Sequence, residues 1–433
     1  MGELKIEYSD KKVTPFGGMK LLKNFIDKTR VIEDLKSVNL PIGFSNRAYD
    51  PINIIQGFWL AIFTGASRYI HADWLRYDTT LQTIFEIDKL PSQSTYSRFF
   101  HKFNIEKNSE IFPILQQKFL SQLDVGPLTI DLDSTVITRY GEQEGAKKGY
   151  NPKKPGRNSH HPIIAFIDQT KMIANTWMRS GNTSSLNNYD AFLNETFDIC
   201  LKDKKVGLVR ADSGFYSQEF LEWFEKRGIN YIVAVKFYEN IKYTIGNITK
   251  WIKITKGLDV ASLRFKPDNG SERRYIIVRK LSEEYPKSGG KLLFDEPIYR
   301  YSAYVTNIEL PVDQIYNIYN TRADCENRIK ELKYDFGADN FCLKDFYATE
   351  ASFRFIMMAY NIMALFKHEV VNSNMMLSTL RSYCFALGSW ITEHSNQKVL
   401  KISLPQKRRT WMNGLFENVK QSQIPFIYID NFQ

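Results

Sequence analysis

The sequence predicts a mixed α/β core between helical N-terminal and C-terminal regions, with a β-strand-rich insertion inside the core. Three observations lead there. Strand-like and helix-like segments alternate from residue 127 to about 238, after an initial hairpin. Short β-type runs separated by turn clusters fill 239–310. Apolar residues at helical spacing dominate 1–124 and return from about 347.

In the first region, MKLLKNFIDKTRVIEDLKSV has helical spacing, and DPINIIQGFWLAIF opens with an Asp at the N-cap and Pro at the first helical position. LPSQSTYSRFFHKFN follows a turn-like Leu-Pro. Ser94 is expected to cap a short helix with Tyr96, Arg98, His101 and Lys102 on its polar sides. A short basic helix after a tight turn has the form of a helix-turn-helix reader, although an ordinary surface helix has it too.

From 127 the texture changes. PLTIDLDSTV alternates, with Thr129, Asp131 and Asp133 on one face and Leu128, Ile130 and Leu132 on the other. HPIIAFID and KMIANTWMRS flank Gln169-Thr170 and read as a hairpin. The helix NNYDAFLNETFDICLK, the strand KVGLVRAD, the helix SQEFLEWFEKRG ended by Gly228, and the strand NYIVAVK follow. The insertion holds RRYIIVRKL and YRYSAYVTNI between the turn clusters PDNGSE and PKSGGK. PVDQIYNIYNTRADCENRIKELK reads as one long helix. The chain thus divides into 1–124, 125–238, 239–310, 311–371 and 372–433. The last part is expected to be helical, with the basic run QKRRTW and a loose tail.

Composition bounds the function. The chain has 433 residues, 43% hydrophobic and 14% aromatic, enough for two or three domains with sizeable cores. Its net charge of +10 points to an acidic partner, nucleic acid first. The four cysteines, Cys200, Cys325, Cys342 and Cys384, form no CxxC pair, so neither a zinc site nor a redox motif is expected, and a reducing compartment fits. MGELKIEYSDKKV lacks the apolar run of a secretory signal. FRFIMMAYNIMALF is short for a membrane span, contains Arg354 and Asn361, and reads as core. The expected location is the cytoplasm, at the nucleoid, with no membrane partner.

The long helix carries an unusual stripe. At about 100° per residue, Tyr319, Arg322, Glu326, Lys330 and Lys333 share an arc of roughly 80°. Cys325, Ile329, Leu332 and Phe336 form an apolar stripe beside it. A solvated face laced with Arg322–Glu326 and Glu326–Lys330 pairs would account for the charges. A carboxylate ringed by cations at a core border also suits a metal beside a polyanion. Asp133 and Asp212 stand near strand ends, where an α/β sheet opens its crevice. Three carboxylates, Asp133, Asp212 and Glu326, suit hard ions such as Mg²⁺ or Mn²⁺. Two ions per site would clamp the attacking and leaving oxygens of a phosphodiester. An Asp at a strand end is also a common helix cap or turn former, and Asp212-Ser-Gly is such a case. Spacing alone leaves open whether Asp131 or Asp133 is the ligand.

Residues 147–161, KKGYNPKKPGRNSHH, gather Lys147, Lys148, Lys153, Lys154 and Arg157 in a stretch whose Pro and Gly disfavour regular structure. A basic, aromatic-bearing loop after the first strand suits DNA contact. His160 and His161 lack the i,i+4 spacing of a zinc pair and read as phosphate contacts or structure. Trp251 reads as packed core, with stacking on a distorted base as the alternative.

The spacing of Tyr319, Arg322, Glu326 and Lys333 matches the Y-R-E-K pattern of insertion-sequence DDE transposases. DLDST around Asp133 and RADSGF around Asp212 resemble the blocks that carry this family's first two aspartates. GEQEGAKKGYNPKKPGRNSHHPIIAF, residues 141–166, resembles the subgroup named after insertion sequence 1380. The matching blocks extend from about 128 to 336. The resemblance implies a ribonuclease H-like catalytic core with a β-strand insertion between the second Asp and the Glu. It implies that Asp133, Asp212 and Glu326 are the metal ligands, Asp133 being favoured by the hydroxyl residues that follow it. Arg322 and Lys333 would contact the DNA backbone near the cut, and Tyr319 would help place it. The implied activity is metal-dependent hydrolysis at insertion-sequence ends followed by strand transfer into target DNA. The implied partners are the element's terminal inverted repeats and target DNA, with a homodimer in the DNA complex. Two other readings stay open on the sequence: a ribonuclease H-like nuclease without strand transfer, and a non-catalytic DNA-binding protein.

Overall fold

The LTIDLDS segment, Leu128–Ser134, forms β1, an interior strand of a nine-stranded mixed sheet in the computed structural model. The structure describes residues 4–43, 45, 48–236, 245–267, 270–282, 299–395 and 397–428. The turn cluster PKSGGK, part of PDNGSE and the tail after 428 lie outside the described residues. The sheet also contains β2 (Ile163–Ile167), β3 (Ile173–Trp177), β4 (Val206–Ala211), β5 (Asn230–Ala234), β6 (Ile252–Thr255), β7 (Leu258–Phe265), β8 (Arg273–Leu281) and β9 (Tyr299–Thr306). Their order is β6-β7-β8-β9-β5-β4-β1-β2-β3. The pairs β1–β4 and β4–β5 are parallel, and the rest are antiparallel. The expected hairpin is β2–β3, turned through Lys171 at φ +59°. The strands of 252–306 join β5 through β9, so they extend the central sheet.

The helices that matter below are α1 (Pro51–Thr64), α2 (Ile105–Ser121), α3 (Gln218–Lys226), α4 (Val312–Asn320), α5 (Asp324–Tyr334), α6 (Phe346–Phe366) and α7 (Gln406–Gln421). Local chemistry sets their ends. Asp50 accepts from the Ile52 N–H at 2.8 Å ahead of Pro51, and Gly65 closes α1 at φ +110°. Ser217 caps α3, which stops before Gly228 at φ +64°.

Helix α6 is buried over nearly its whole length. Its Phe355 carbonyl accepts from the Trp59 indole of α1 at 2.8 Å. Asn361 accepts from the Ile173 N–H at 2.8 Å and donates to the Ile173 carbonyl at 2.9 Å, covering the free edge of β3. Among the described residues no helix is long and apolar enough to cross a membrane.

Several expectations change. The opening helical stretch breaks into Met19–Ile26 and Val31–Lys36. Ser92, not Ser94, caps the helix Gln93–Phe100. Tyr96 is buried in an aromatic cluster with Phe58 and Tyr69, because only an inward ring satisfies that packing. The two ends of the chain fold together. Val13–Thr14 pairs with Ser389–His394, itself paired with Gln397–Ile402, and Phe426–Tyr428 runs parallel to Leu123–Val125. The region after 372 is therefore part strand and part helix, with QKRRTW opening α7.

Candidate active site

Strands β1 and β4 run parallel with Leu132 level with Ala211. The next residue on each chain is an aspartate, so register alone brings Asp133 beside Asp212. Asp133 is 8% exposed. Its Oδ1 accepts from the Ser134 N–H at 2.8 Å, and its Oδ2 lies 3.3 Å from Nη2 of Arg322. Burial pushes its carboxyl up to about 6; Arg322 pulls it back, and Asp212 pushes it further. Asp212 caps the short turn Ser213–Phe215 through Gly214 N–H at 2.9 Å, so it is a turn former as well as a neighbour of Asp133.

Asp131 shares the face of Asp133 and meets different surroundings. It is fully buried, and Arg210 of β4 grips it with two bonds, 2.6 Å from Nε to Oδ1 and 2.8 Å from Nη2 to Oδ2. The Cys325 thiol donates to Oδ2 at 3.3 Å. Arg210 also pairs with Asp168 at 3.0 Å, Asp168 with Arg328 at 3.0 Å, and Arg328 with Asp324 at 2.9 Å. This chain of ions fastens α5 to the sheet.

The expected long helix is interrupted. Residues Thr321–Ala323 tighten into a 3₁₀ turn between α4 and α5. Arg210 donates to the Ile318 carbonyl at 2.5 Å and to the Thr321 hydroxyl, holding the chain where the α pattern changes. The five stripe residues therefore divide. The Tyr319 hydroxyl donates to the Ala211 carbonyl at 3.2 Å, Arg322 to the Leu132 carbonyl at 2.9 Å, and Lys333 to the Val136 carbonyl at 2.9 Å. Three side chains thus tie the helices to the strand ends that carry the two aspartates. Helix α4 seats Val312 and Ile315 on Val260, Ile276 and Val278, so strands β7 and β8 form its floor. Glu326 and Lys330 are exposed. Among the described residues neither the Arg322–Glu326 nor the Glu326–Lys330 pair forms, and no three His, Cys, Asp or Glu side chains gather closely enough to hold a metal.

The aspartate pair itself fits a hard divalent cation. Both donors are carboxylates, and the charge of one opposes the ionisation of the other, with Arg322 the single guanidinium paired to Asp133 among the described residues. Glu326, one helical turn beyond Arg322 on α5, stands outside that pair.

The basic stretch departs from the irregular loop expected. Ile137–Thr138, Asn158–His160 and Lys147–Lys148 make a small three-stranded sheet. Gly181 lets it close, because a Cβ there would meet the Ser159 and Lys147 carbonyls at 2.1 and 2.3 Å. Lys147, Lys148, Lys153, Lys154 and Arg157 are exposed, as DNA contact requires. His160 is corrected from a phosphate contact to a buried support. It is 0% exposed, its Nδ1 accepts from Arg139 Nε at 3.1 Å and its Nε2 faces the Glu144 carbonyl at 2.9 Å. Burial pushes it down to about 4, so it is neutral at pH 7. His161 is also buried, held by the Thr183 carbonyl at 2.8 Å and close enough to feel Asp212 and Lys333. Trp251 donates to the Ile248 carbonyl at 3.1 Å and lies under the Arg279 guanidinium.

Arg210 was not singled out on the sequence. The signal was present: DLD and RAD each place a charged residue two before the candidate aspartate, and in-register parallel strands set Asp131 against Arg210.

The profile described as Transposase DDE domain group 1 matches residues 2–424. No curated protein matches the chain. Among solved structures, the chain is similar to the cryo-EM structure of a piggyBac transposase synaptic complex with hairpin DNA, at 10% identity and a TM-score of 0.45, over 95% of this chain and 82% of that one.

Proposed function

The chain belongs to the group 1 family of DDE-domain transposases and is a DNA transposase; from that premise we propose that Asp133, Asp212 and Glu326 are its catalytic carboxylates and that it cuts and joins insertion-sequence ends. The observation that carries the assignment is the meeting of Asp133 and Asp212 at the ends of adjacent parallel strands, with Arg322 paired to Asp133. Asp131 is set aside because Arg210 already holds both its oxygens. Glu326 is taken as the third carboxylate from its place on α5, in the Y-R-E-K spacing.

Divalent ions such as Mg²⁺ or Mn²⁺, two per site, would be held by these carboxylates and would supply activation of the attacking hydroxyl and stabilisation of the leaving oxyanion. The rest falls to the chain's own groups. Arg322 orients Asp133 and favours its charged form. Tyr319 and Lys333 fix the strand ends by holding the Ala211 and Val136 carbonyls. Lys147, Lys148, Lys153, Lys154, Arg157 and Lys330 present exposed charge to DNA phosphates. The reading extends to a ribonuclease H-like core, membership of the insertion sequence 1380 subgroup, recognition of terminal inverted repeats, and a homodimer on DNA, because two ends must be joined.

The test is cleavage of DNA carrying the element's ends in Mg²⁺ by wild type, Asp133→Asn and Glu326→Gln. Both variants should bind the ends and lose cutting by roughly a thousandfold or more. A Glu326→Gln protein that cuts like wild type removes Glu326 from the site. Pre-cut ends then separate a transposase, which joins them to target DNA, from a nuclease, which does not.

A further inference from the structure

A cleft of about 590 Å³ is walled by the segment from Val136 to Gly141, which begins three residues after Asp133, and by Lys333 of α5. Five cations line it, Arg68, Arg139, Lys153, Lys154 and Lys333, against one carboxylate, Asp339.

Arg139 is the unusual member. It is 3% exposed. Its Nε donates to the neutral His160, and its Nη1 donates to the Asp339 backbone carbonyl at 2.7 Å. Its Nη2 is buried with no hydrogen-bond partner. Among the described residues no carboxylate oxygen comes within 4.0 Å of it. A guanidinium stays charged in a protein, and a buried one that touches no carboxylate is costly, here with the Asp339 carboxylate acting on it from beyond contact. Of the other buried arginines, Arg210, Arg273 and Arg328 each have a carboxylate at 3.0 Å or less and Arg354 has two at 3.4 and 3.5 Å, while Arg179 donates instead to four backbone carbonyls, those of His161, Ser184, Ser185 and Asn187. Lys153 and Lys333 are close enough to repel each other, which adds to the demand for an anion. A planar fork with one unpartnered nitrogen, on the wall of a cleft that lysines also line, matches a phosphate.

We propose that Arg139, with Lys153, Lys154 and Lys333, forms a phosphate subsite for the DNA backbone next to the catalytic aspartates. The subsite rests on the transposase reading for the identity of the anion. Its position follows from the chain: Val136 is three residues after Asp133, and Lys333 holds its carbonyl. The exposed lysines guide the strand, and the buried arginine fixes one phosphate.

The test uses the full chain and a fluorescent double-stranded oligonucleotide of arbitrary sequence, titrated at several salt concentrations. Each phosphate contact adds about 0.9 to the slope of log affinity against log salt. Arg139→Gln should lower that slope by about one and leave the melting temperature at or above wild type, since it removes a buried charge that no carboxylate touches. Lys153→Ala with Lys154→Ala, both exposed, should lower the slope by about two. This pair keeps the test open should Arg139→Gln fail to fold. A folded variant with the wild-type slope overturns the subsite while leaving the transposase reading intact. A wild-type chain that binds no duplex at any salt overturns that reading itself.

Discussion

Asp131 and Asp133 share one face of β1, two residues apart, and differ in how their charge is balanced. Around Asp131 the ions alternate without a gap: Asp131, Arg210, Asp168, Arg328, Asp324. Arg210 and Lys171 hold Asp168 below its ordinary value even though burial works against them. Around Asp133 the balance is incomplete. Arg322 is set against two aspartates, and burial leaves the Asp133 carboxyl near 6. The same strands and the same residue types build both regions. Full pairing makes a fastening, and partial pairing leaves demand for a ligand. Arg139 repeats the second pattern with the sign reversed.

The largest expected effect breaks the paired side. Asp131→Asn should cost about 3–5 kcal/mol in urea unfolding, because Arg210 then sits buried with only Asp168 as counter-charge. A loss below about 1 kcal/mol would erase the distinction between the two aspartates.

Asp133→Asn should instead abolish cutting and leave stability equal or higher. The sign follows from proton binding. The native carboxyl, near 6 against an ordinary 3.8, binds more protons than the unfolded chain between those values. Its contribution is therefore lost as pH rises through that window, by roughly 3 kcal/mol in all. The variant should show a steeper rise of stability from pH 4 to 6 than wild type.

His160 works in the opposite direction. Held near 4 against an ordinary 6.5, it makes the unfolded chain the stronger proton binder between those values. Stability falls as pH drops from 6.5 to 4, by roughly 3 kcal/mol. His160→Gln should flatten that acid arm in the same unfolding series. An unchanged arm would mean the imidazole is not held neutral.

The smallest effect probes the tie between the regions. Tyr319→Phe removes the bond to the Ala211 carbonyl and should cost about 1 kcal/mol. Cutting should fall more than this loss of stability explains if the bond positions Asp212. Equal cutting by wild type and variant would reduce Tyr319 to packing against Tyr304.

Much of the fold was legible in local chemistry. Asp50-Pro51 at the start of α1, Gly228 after α3, and the alternation of LTIDLDS each act over a few residues, and each stands where the sequence placed it. The stripe on the long helix was legible only in part. A wheel of uniform pitch cannot register the 3₁₀ turn at Thr321–Ala323, which Arg210 holds from more than a hundred residues away. The pairing between strands of the two ends of the chain was not legible for a related reason. Strands as short as Val13–Thr14 carry almost no periodicity, and their partners lie at the far end of the chain.

The sequence by itself determined the kinds of element, the basic surplus, and the residues able to do carboxylate and phosphate chemistry, because propensity, capping and charge are local properties. Tertiary structure alone decided which aspartate is bound and which is left open. It also decided that His160 is buried support and that Arg139 touches no carboxylate among the described residues. Burial and ion pairing depend on strand register and on partners distant in the chain, and those are fixed only when the sheet closes.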